Sequence, residues 1–126
     1  MSKPERVDDR YWALLERGRD GKRWHVLVKG RPATVKGYEE YDLFIHRTCD
    51  QTEDHRWVAA EGQTGAEIAV GNTLKKTEKA LRRRLTILGT LDERRADFDK
   101  RIQRLVEQVG LTPRYGGKFR RPPKGE

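Results

Sequence analysis

Apolar and polar residues alternate in several short segments in the first half of the chain, and glycines or polar clusters separate these segments. Alternation with a period of two residues is typical of β-strands. The connections are too short for the crossovers that parallel strands need. The pattern therefore predicts an antiparallel meander of three or four strands, formed by WHVLVKG, YDLFIHR, RWVAAEG and AEIAVG, with GRPATVKG as a loop.

Three other segments place their apolar residues at helical spacing. The first predicts an amino-terminal helix over residues 4–17. Ser2, which precedes it, has capping-box spacing to Glu5. The second predicts a helix over residues 74–88, and the third a helix over residues 90–109. The apolar positions of these three segments are, in order, Val7, Tyr11, Leu14 and Leu15; Leu74, Leu81, Leu85 and Leu88; and Leu91, Phe98, Ile102, Leu105 and Val109.

These elements predict an α+β fold. The three- or four-stranded antiparallel meander would be packed by the amino-terminal helix and the helix that follows the strands, with an extra amphipathic helix towards the carboxyl terminus. At 126 residues the chain is long enough for one hydrophobic core. We expect an α+β sandwich domain over residues 1–88, an amphipathic helix over 89–110 and a flexible basic tail over 111–126, because proline and glycine are frequent in that tail.

Charge changes this picture, because it is unevenly distributed. The chain has 28 basic and 20 acidic residues, a net charge of +8. Residues 73–88 contribute +5 (six basic, one acidic) and residues 113–126 contribute +4 (five basic, one acidic). Residues 89–112 between them balance at five of each sign. A concentrated positive charge of this kind favours association with an anionic partner.

The first basic concentration lies in the helix predicted over 74–88. Solvent-facing helix surfaces usually mix charges of both signs, whereas here only Glu78 offsets the positive side chains. One interpretation is an ordinary solvated face, since Lys and Arg form helices well. The other is a phosphate-binding face, which would comprise Lys75, Lys76, Lys79, Arg82 and Arg83.

The second basic concentration is the tail, where cations alternate with aromatic residues. Flexible basic segments that contain aromatic residues can follow a nucleic-acid backbone and stack on exposed bases. The alternative is a solubilising chain end. The cations predicted to contact nucleic acid here are Arg114, Lys118, Arg120 and Arg121, beside Tyr115 and Phe119.

The third candidate surface is the apolar stripe of helix 90–109. It could pack on the chain's own sheet, or it could dock a second protein or form a homodimer through residues 91–109. The residues that would form such a protein interface are Phe98, Ile102, Leu105 and Val109.

Catalytic and metal-binding patterns are weak. His46, Cys49, Asp50 and His55 lie close in sequence, but a structural zinc site needs four spaced ligands, usually with a second cysteine or histidine pair. These residues are better interpreted as a polar loop. No nucleotide-binding, metalloprotease or hydrolase motif occurs. We therefore predict no enzymatic activity, no cofactor and no metal.

The single cysteine fits a reducing compartment, and neither an apolar signal core nor a membrane-length apolar run occurs. We therefore expect a cytoplasmic protein with no membrane association.

The strand, short turn and lysine-rich helix start around residues 66–79 resemble the end of a double-stranded-RNA-binding domain, whose last helix opens with KKxAK. Lys75, Lys76 and Lys79 stand at the three lysine positions, which in that family contact phosphates. Glu78 stands where the family has an alanine that packs on the sheet. The run TGxxIxxGxT before the helix is also similar, more weakly, to HicB-like antitoxins. As a whole, the chain resembles small phage or mobile-element proteins.

These observations predict a small basic nucleic-acid-binding protein, with RNA favoured over DNA by the resemblance alone. The alternative is a phage or mobile-element inhibitor or adaptor that binds an acidic protein or a ribonucleoprotein, since the same positive face would steer that encounter. A third interpretation is an antitoxin-like partner of a small RNase toxin.

Overall fold

The computed structural model describes residues 9–16, 21–48 and 56–118. Within these residues the chain forms five β-strands, then two α-helices and a short 3₁₀-helix. The strands are β1 (Arg10–Glu16), β2 (Arg23–Ala33), β3 (Leu43–Arg47), β4 (Trp57–Glu61) and β5 (Glu67–Gly71). The helices are α1 (Leu74–Thr86), α2 (Leu91–Val109) and the 3₁₀-helix Pro113–Tyr115.

The strands form one sheet in the order β1-β2-β3-β4-β5, and all four pairings are antiparallel. The predicted α+β class and the antiparallel meander are therefore confirmed, but the predicted strand number is too low. Strand β2 also continues past Gly30, and its residues up to Ala33 pair with β3. The loop predicted for GRPATVKG is therefore wrong over residues 30–33.

The amino-terminal helix predicted over residues 4–17 is wrong where the structure describes it. Residues 10–16 form β1, which pairs with β2 from Arg10 opposite Lys29 to Glu16 opposite Arg23. Tyr11 and Ala13 are buried, so the segment alternates as a strand does. The physical reason is tertiary: pairing with β2 gives this segment's backbone a partner that the sequence pattern does not reveal. Residues 1–8 lie outside the described part.

Both faces of β3 are buried. Leu43 and Ile45 of β3 point into a core covered by the helices, whereas Phe44 points to the opposite face, where its ring stacks on that of Tyr11 at a centroid distance of 4.4 Å. Gly30 permits this arrangement, because a Cβ there would lie 2.9 Å from the carbonyl oxygen of Ile45. The β1–β2 hairpin therefore packs over one face and the helices over the other.

Helix α1 lies close against β5. The Thr73 hydroxyl caps the helix by accepting from the backbone N–H of Lys76 at 3.1 Å. Thr77, Leu81 and Leu85 are buried beneath the helix. A Cβ at Gly71 would lie 2.7 Å from the Thr77 hydroxyl oxygen, so the glycine is what allows the close approach of the helix to the strand.

Helix α2 packs on its own chain, which is one of the two alternatives that the sequence leaves open. Phe98 contacts the rings of Tyr38 and Tyr41 at centroid distances of 5.9 and 5.2 Å. The Tyr41 hydroxyl donates a hydrogen bond to Asp99 at 2.6 Å. Of the residues predicted to form a protein interface, Phe98, Ile102 and Val109 are buried and Leu105 is half-buried. The apolar face proposed for a homodimer through 91–109 is used within the chain.

The segment after α2, which is the start of the tail predicted from residue 111, contacts the rest of the domain as far as the structure describes it. Thr112 donates its backbone N–H to the carbonyl of Gln63 at 2.7 Å. The Tyr115 hydroxyl donates to Asp42 at 2.9 Å. These bonds hold residues 111–118 against the β4–β5 turn. The rest of the predicted tail lies beyond the described residues.

Among the described helices, none combines the length and apolarity that crossing a membrane requires.

Candidate nucleic-acid interface

Helix α1 carries a continuous basic face. Within the described residues, none of the ion pairs involves a cation of this helix. All six cations are exposed, and Glu78 is the one acidic residue among them. We use the term α1 basic face for the five cations predicted from the sequence: Lys75, Lys76, Lys79, Arg82 and Arg83.

The buried side of α1 explains how the face is oriented. At about 100° per residue, the sheet-packing residues Thr77, Leu81 and Leu85 fall on one side of the helix. Lys79 lies well over 100° from the middle of that side, so the charges point to solvent while the apolar residues fix the helix on the sheet. The structure therefore brings the predicted helical cations together on one surface.

The amino-terminal turn of α1 carries positive charge, which destabilises that end of a helix. It contains no acidic residue, and Lys75 and Lys76 occupy it instead. The backbone dipole places partial positive charge at a helix amino terminus, so cations there are unfavourable and anions are attracted. An anionic partner at this end would be bound both by the lysines and by the dipole.

Glu78 does not take the position that the resemblance implies for a packing alanine. It is exposed, and Thr77 is the residue buried against Gly71. The Thr77 hydroxyl donates to the carbonyl of Thr73 at 2.8 Å, so its polar atom is satisfied inside the helix. The lysine spacing of the resembled motif is present, but its sheet-packing position falls one residue earlier.

A cleft of about 470 Å³ separates α1 from the end of β2. Glu78 and Arg82 line its helix side and Arg31 lines its strand side, while Ile45 and Leu81 form part of its floor. Arg31 is exposed and extends the positive surface from the helix to the sheet. We use the term α1 cleft for this feature.

Sequence reasoning missed Arg31, because Gly30 and Pro32 suggested a loop. The signal that could have revealed it is the alternation that continues through Leu27, Lys29 and Arg31. Had β2 been extended past the glycine, these residues would have shared one face of a strand.

A second, more open cleft of about 530 Å³ lies beside Trp57. Val28, Ile45 and Trp57 supply apolar surface, and three cations, Lys29, Arg31 and Arg47, lie around them. The Arg47 guanidinium carbon lies 5.0 Å from the Trp57 ring centroid, which is a cation–π contact. Arg31 and Ile45 line both clefts, so the two are adjacent. We use the term Trp57 cleft for the second one.

The predicted tail residues, unlike the exposed cations of α1, differ from one another in exposure and contacts. Arg114 is half-buried within the 3₁₀-helix, and Tyr115 is engaged with Asp42. Lys118 is exposed. Arg120 and Arg121, with Phe119, lie outside the described residues. Within residues 111–118, Thr112 contacts Gln63 and Tyr115 contacts Asp42, so these contacts of the tail are with the sheet domain and not with α1.

Two buried titratable groups lie away from the basic face. Glu61 accepts hydrogen bonds from Gln63 and Thr64, and burial raises its pKa to about 7, with nearby Asp42 adding to the increase. Burial lowers the pKa of His46, against the opposing effect of its hydrogen-bonding contact with the Arg47 carbonyl. Of the other residues considered for a metal site, Cys49, Asp50 and His55 lie outside the described part.

Comparison of the chain with protein-family models, with curated proteins and with solved structures finds no match.

Proposed function

We propose that the protein binds nucleic acid through the α1 basic face, with Arg31 across the α1 cleft extending the contact. The observation that carries the proposal is the set of exposed cations on α1, none of which forms an ion pair among the described residues. Unneutralised like charges on one helix repel one another, and binding a polyanion removes that cost.

The composition of the face favours phosphates over a protein groove. Protein interfaces usually have aromatic or aliphatic anchors at their centre. The α1 basic face consists of lysine and arginine alone, and the buried leucines of the helix point into the core. Charge without anchors is the pattern of backbone contacts, which position a nucleic acid without reading its sequence.

RNA is favoured over DNA only by the resemblance of Lys75, Lys76 and Lys79 to the lysines of double-stranded-RNA-binding domains. Charge on a helix does not distinguish the two, because that distinction needs contacts to the 2′-hydroxyl. The tail cations Arg114, Lys118, Arg120 and Arg121 are a secondary contact in this proposal.

The test is a gel-shift panel of duplex RNA, duplex DNA and both single strands, at 50 and 200 mM salt. If about five phosphates are neutralised, affinity should fall on the order of 10²–10³-fold between the two salt concentrations. Replacing Lys75, Lys76 and Lys79 together with alanine should weaken binding to all sequences and reduce the salt slope by about three.

The matched control removes three exposed cations from α2 instead, by replacing Lys100, Arg101 and Arg104 with alanine. The two variants have the same net charge, so a general electrostatic effect would weaken both equally. Equal affinities of the two variants, or an unchanged affinity of the α1 variant, would show that α1 is not the interface.

The second candidate function is that of a phage or mobile-element inhibitor or adaptor that binds a protein or ribonucleoprotein partner. The observation that favours it is the turn between the helices, where Ile87 and Leu88 are 50% and 84% exposed beside Arg83 and Arg84. An apolar tip flanked by cations suits an acidic protein partner. A pull-down with and without nuclease separates the two candidates, since partners retained after digestion favour the protein-binding function.

A further inference from the structure

We infer that the Trp57 cleft binds an unpaired nucleotide of the same nucleic-acid strand that lies on the α1 basic face. This inference rests on the proposed function and names a binding mode for it. Two properties of the cleft carry it: an apolar and cationic lining that suits a base, and a position next to the α1 cleft, with which it shares Arg31.

The lining of the cleft suits a ligand that is both flat and anionic. The Arg47 guanidinium carbon lies 5.0 Å from the centroid of the Trp57 ring, so an aromatic ring already holds a planar guanidinium at the cleft. Unpaired bases stack on arginine planes and on aromatic rings. Arg31 and Lys29, whose exposed ammonium also pairs with Asp9 at 3.5 Å, can bind the phosphates on either side of such a base.

The position of the cleft connects it to the basic face. Trp57 pairs with Gly71 in the sheet, and Gly71 lies against the first turn of α1, close to the backbone of Lys76. Trp57 is therefore the strand neighbour of the residue that packs on the first turn of the helix, which carries Lys75 and Lys76, although no residue of α1 lines the cleft itself. Arg31 lines both clefts, so positive charge continues from Arg82 to Arg47 across the sheet.

Continuity favours a nucleotide within a strand over a free nucleotide. A free nucleotide would need only one phosphate-binding group beside its base. Here further cations lie beyond the cleft, from Arg31 to Arg82 and the rest of the α1 basic face, and these could bind further phosphates of a strand. A duplex cannot place a base in the cleft without unpairing it, which costs energy. The expected ligand is therefore a junction between a duplex or structured region and a single strand.

The test uses three probes, each made in RNA and in DNA: a blunt hairpin duplex, the same hairpin with a short single-stranded overhang, and that hairpin with an overhang whose nucleotides lack bases. Stacking of one base should raise affinity for the second probe by roughly 5- to 150-fold over the blunt hairpin. The abasic overhang should lose this gain, because it retains phosphates and has nothing to stack.

Two variants locate the effect in the cleft. Arg47→Gln removes an exposed side chain and should abolish the preference for the overhang while leaving binding of the blunt hairpin within a few fold. Trp57→Leu should do the same, and Arg47→Gln keeps the test decisive if the tryptophan variant fails to fold. Arg101→Gln on α2 removes the same charge as the arginine variant and should preserve the overhang preference.

The outcomes separate this inference from the proposed function. If the blunt and overhang probes bind equally, or if the abasic overhang binds as well as the complete one, the Trp57 cleft does not take a base. In that case a continued loss of binding on replacing Lys75, Lys76 and Lys79 would leave the proposed function intact. If that triple replacement leaves the affinity for nucleic acid unchanged, both proposals are wrong.

Discussion

The two helices are neighbours of similar amphipathic design, but they place their charges in opposite ways. Helix α2 begins with Asp92 and Glu93, and Thr90 and Glu93 form a complete capping box. Helix α1 has the equivalent cap in Thr73, but Lys76 stands at the position that corresponds to Glu93. One amino terminus complements the helix dipole and the other opposes it.

The difference separates stability from function. In α2 the charges balance at the helix surface and the apolar face fixes the helix on Tyr38 and Tyr41. In α1 the buried leucines fix the helix on the sheet in the same way. Its surface charges, however, lack the acidic capping-box residue and, within the described residues, the ion pairs that would stabilise the helix. Natural sequences tend to depart from local stability rules at functional sites. The comparison therefore supports our proposal that α1 is the binding helix, with α2 as a structural helix beside it.

The largest expected effect tests whether α2 is a structural helix. Phe98→Ala should lower the free energy of unfolding by about 3–5 kcal/mol, because it empties a buried site between two tyrosine rings. Chemical denaturation measures the loss, and half-buried Leu105→Ala should cost less. If α2 instead formed a dimer, the unfolding midpoint would depend on protein concentration.

The next effect concerns the turn on which the segment after α2 docks, and it depends on pH. Burial raises the pKa of Glu61 to about 7, so between about pH 4.5 and 7 the folded chain holds a proton that the unfolded chain has lost. This contribution to stability is complete below about pH 4.5 and is lost as the pH rises through about 7. The total loss should be up to about 3 kcal/mol.

Glu61→Gln removes the titratable group, but its one amide oxygen replaces two acceptors: Oε2, which accepts from the N–H of Gln63, and Oε1, which accepts from Thr64. The cost of the lost acceptor is the same at both pH values. We therefore expect the stability of the variant relative to the parent to increase by up to about 3 kcal/mol from pH 4.5 to pH 8, as denaturation curves at both values would show. The comparison between variants cancels His46, whose lowered pKa acts in the opposite direction. A difference that stays constant with pH would contradict the assignment.

A smaller effect comes from exchanging the two helix starts. Lys76→Glu would give Thr73 the capping-box partner that α2 already has, and should raise the free energy of unfolding by about 1 kcal/mol. The same change should weaken nucleic-acid binding. The reverse change, Glu93→Lys, should destabilise α2 by a similar amount and leave binding nearly unaffected. Opposite signs in stability and binding at Lys76 are the expected mark of a functional position.

Sequence alone predicted the strands β2 to β5 and both α-helices, because alternation and helical spacing are local properties. It failed at β1, since Tyr11 and Leu15 fit either a helical face or one side of a strand. Only the pairing partner, β2, decides between the two. Propensity is a weak guide wherever a tertiary contact provides the backbone hydrogen bonds.

The candidate site was predictable only in part, for a similar reason. The cations of α1 follow from a helix that the sequence predicts well, so their common surface could be foreseen. Arg31, Arg47 and Trp57 come from different strands, and nothing in the spacing of the chain shows that they line adjacent clefts. The stripe on α2 likewise gives the same pattern whether it meets its own sheet or a partner, so the sequence left that question open.

The smallest effect lies at the turn that joins the two compared helices. Leu88 is 84% exposed and has a φ of 62°, a left-handed conformation that is unfavourable for a residue with a Cβ. Leu88→Gly should therefore raise the free energy of unfolding by about 0.5 kcal/mol, as relief of backbone strain exceeds the added entropy of the unfolded chain. Ile87→Gly is the matched control, because Ile87 is also exposed but has an ordinary φ of −84°, so only the entropic cost applies. Equal responses at the two positions would show that the turn stores no strain. A stabilised Leu88→Gly that also lost a protein partner would instead favour the adaptor function, since the strained leucine would then be held in place for binding.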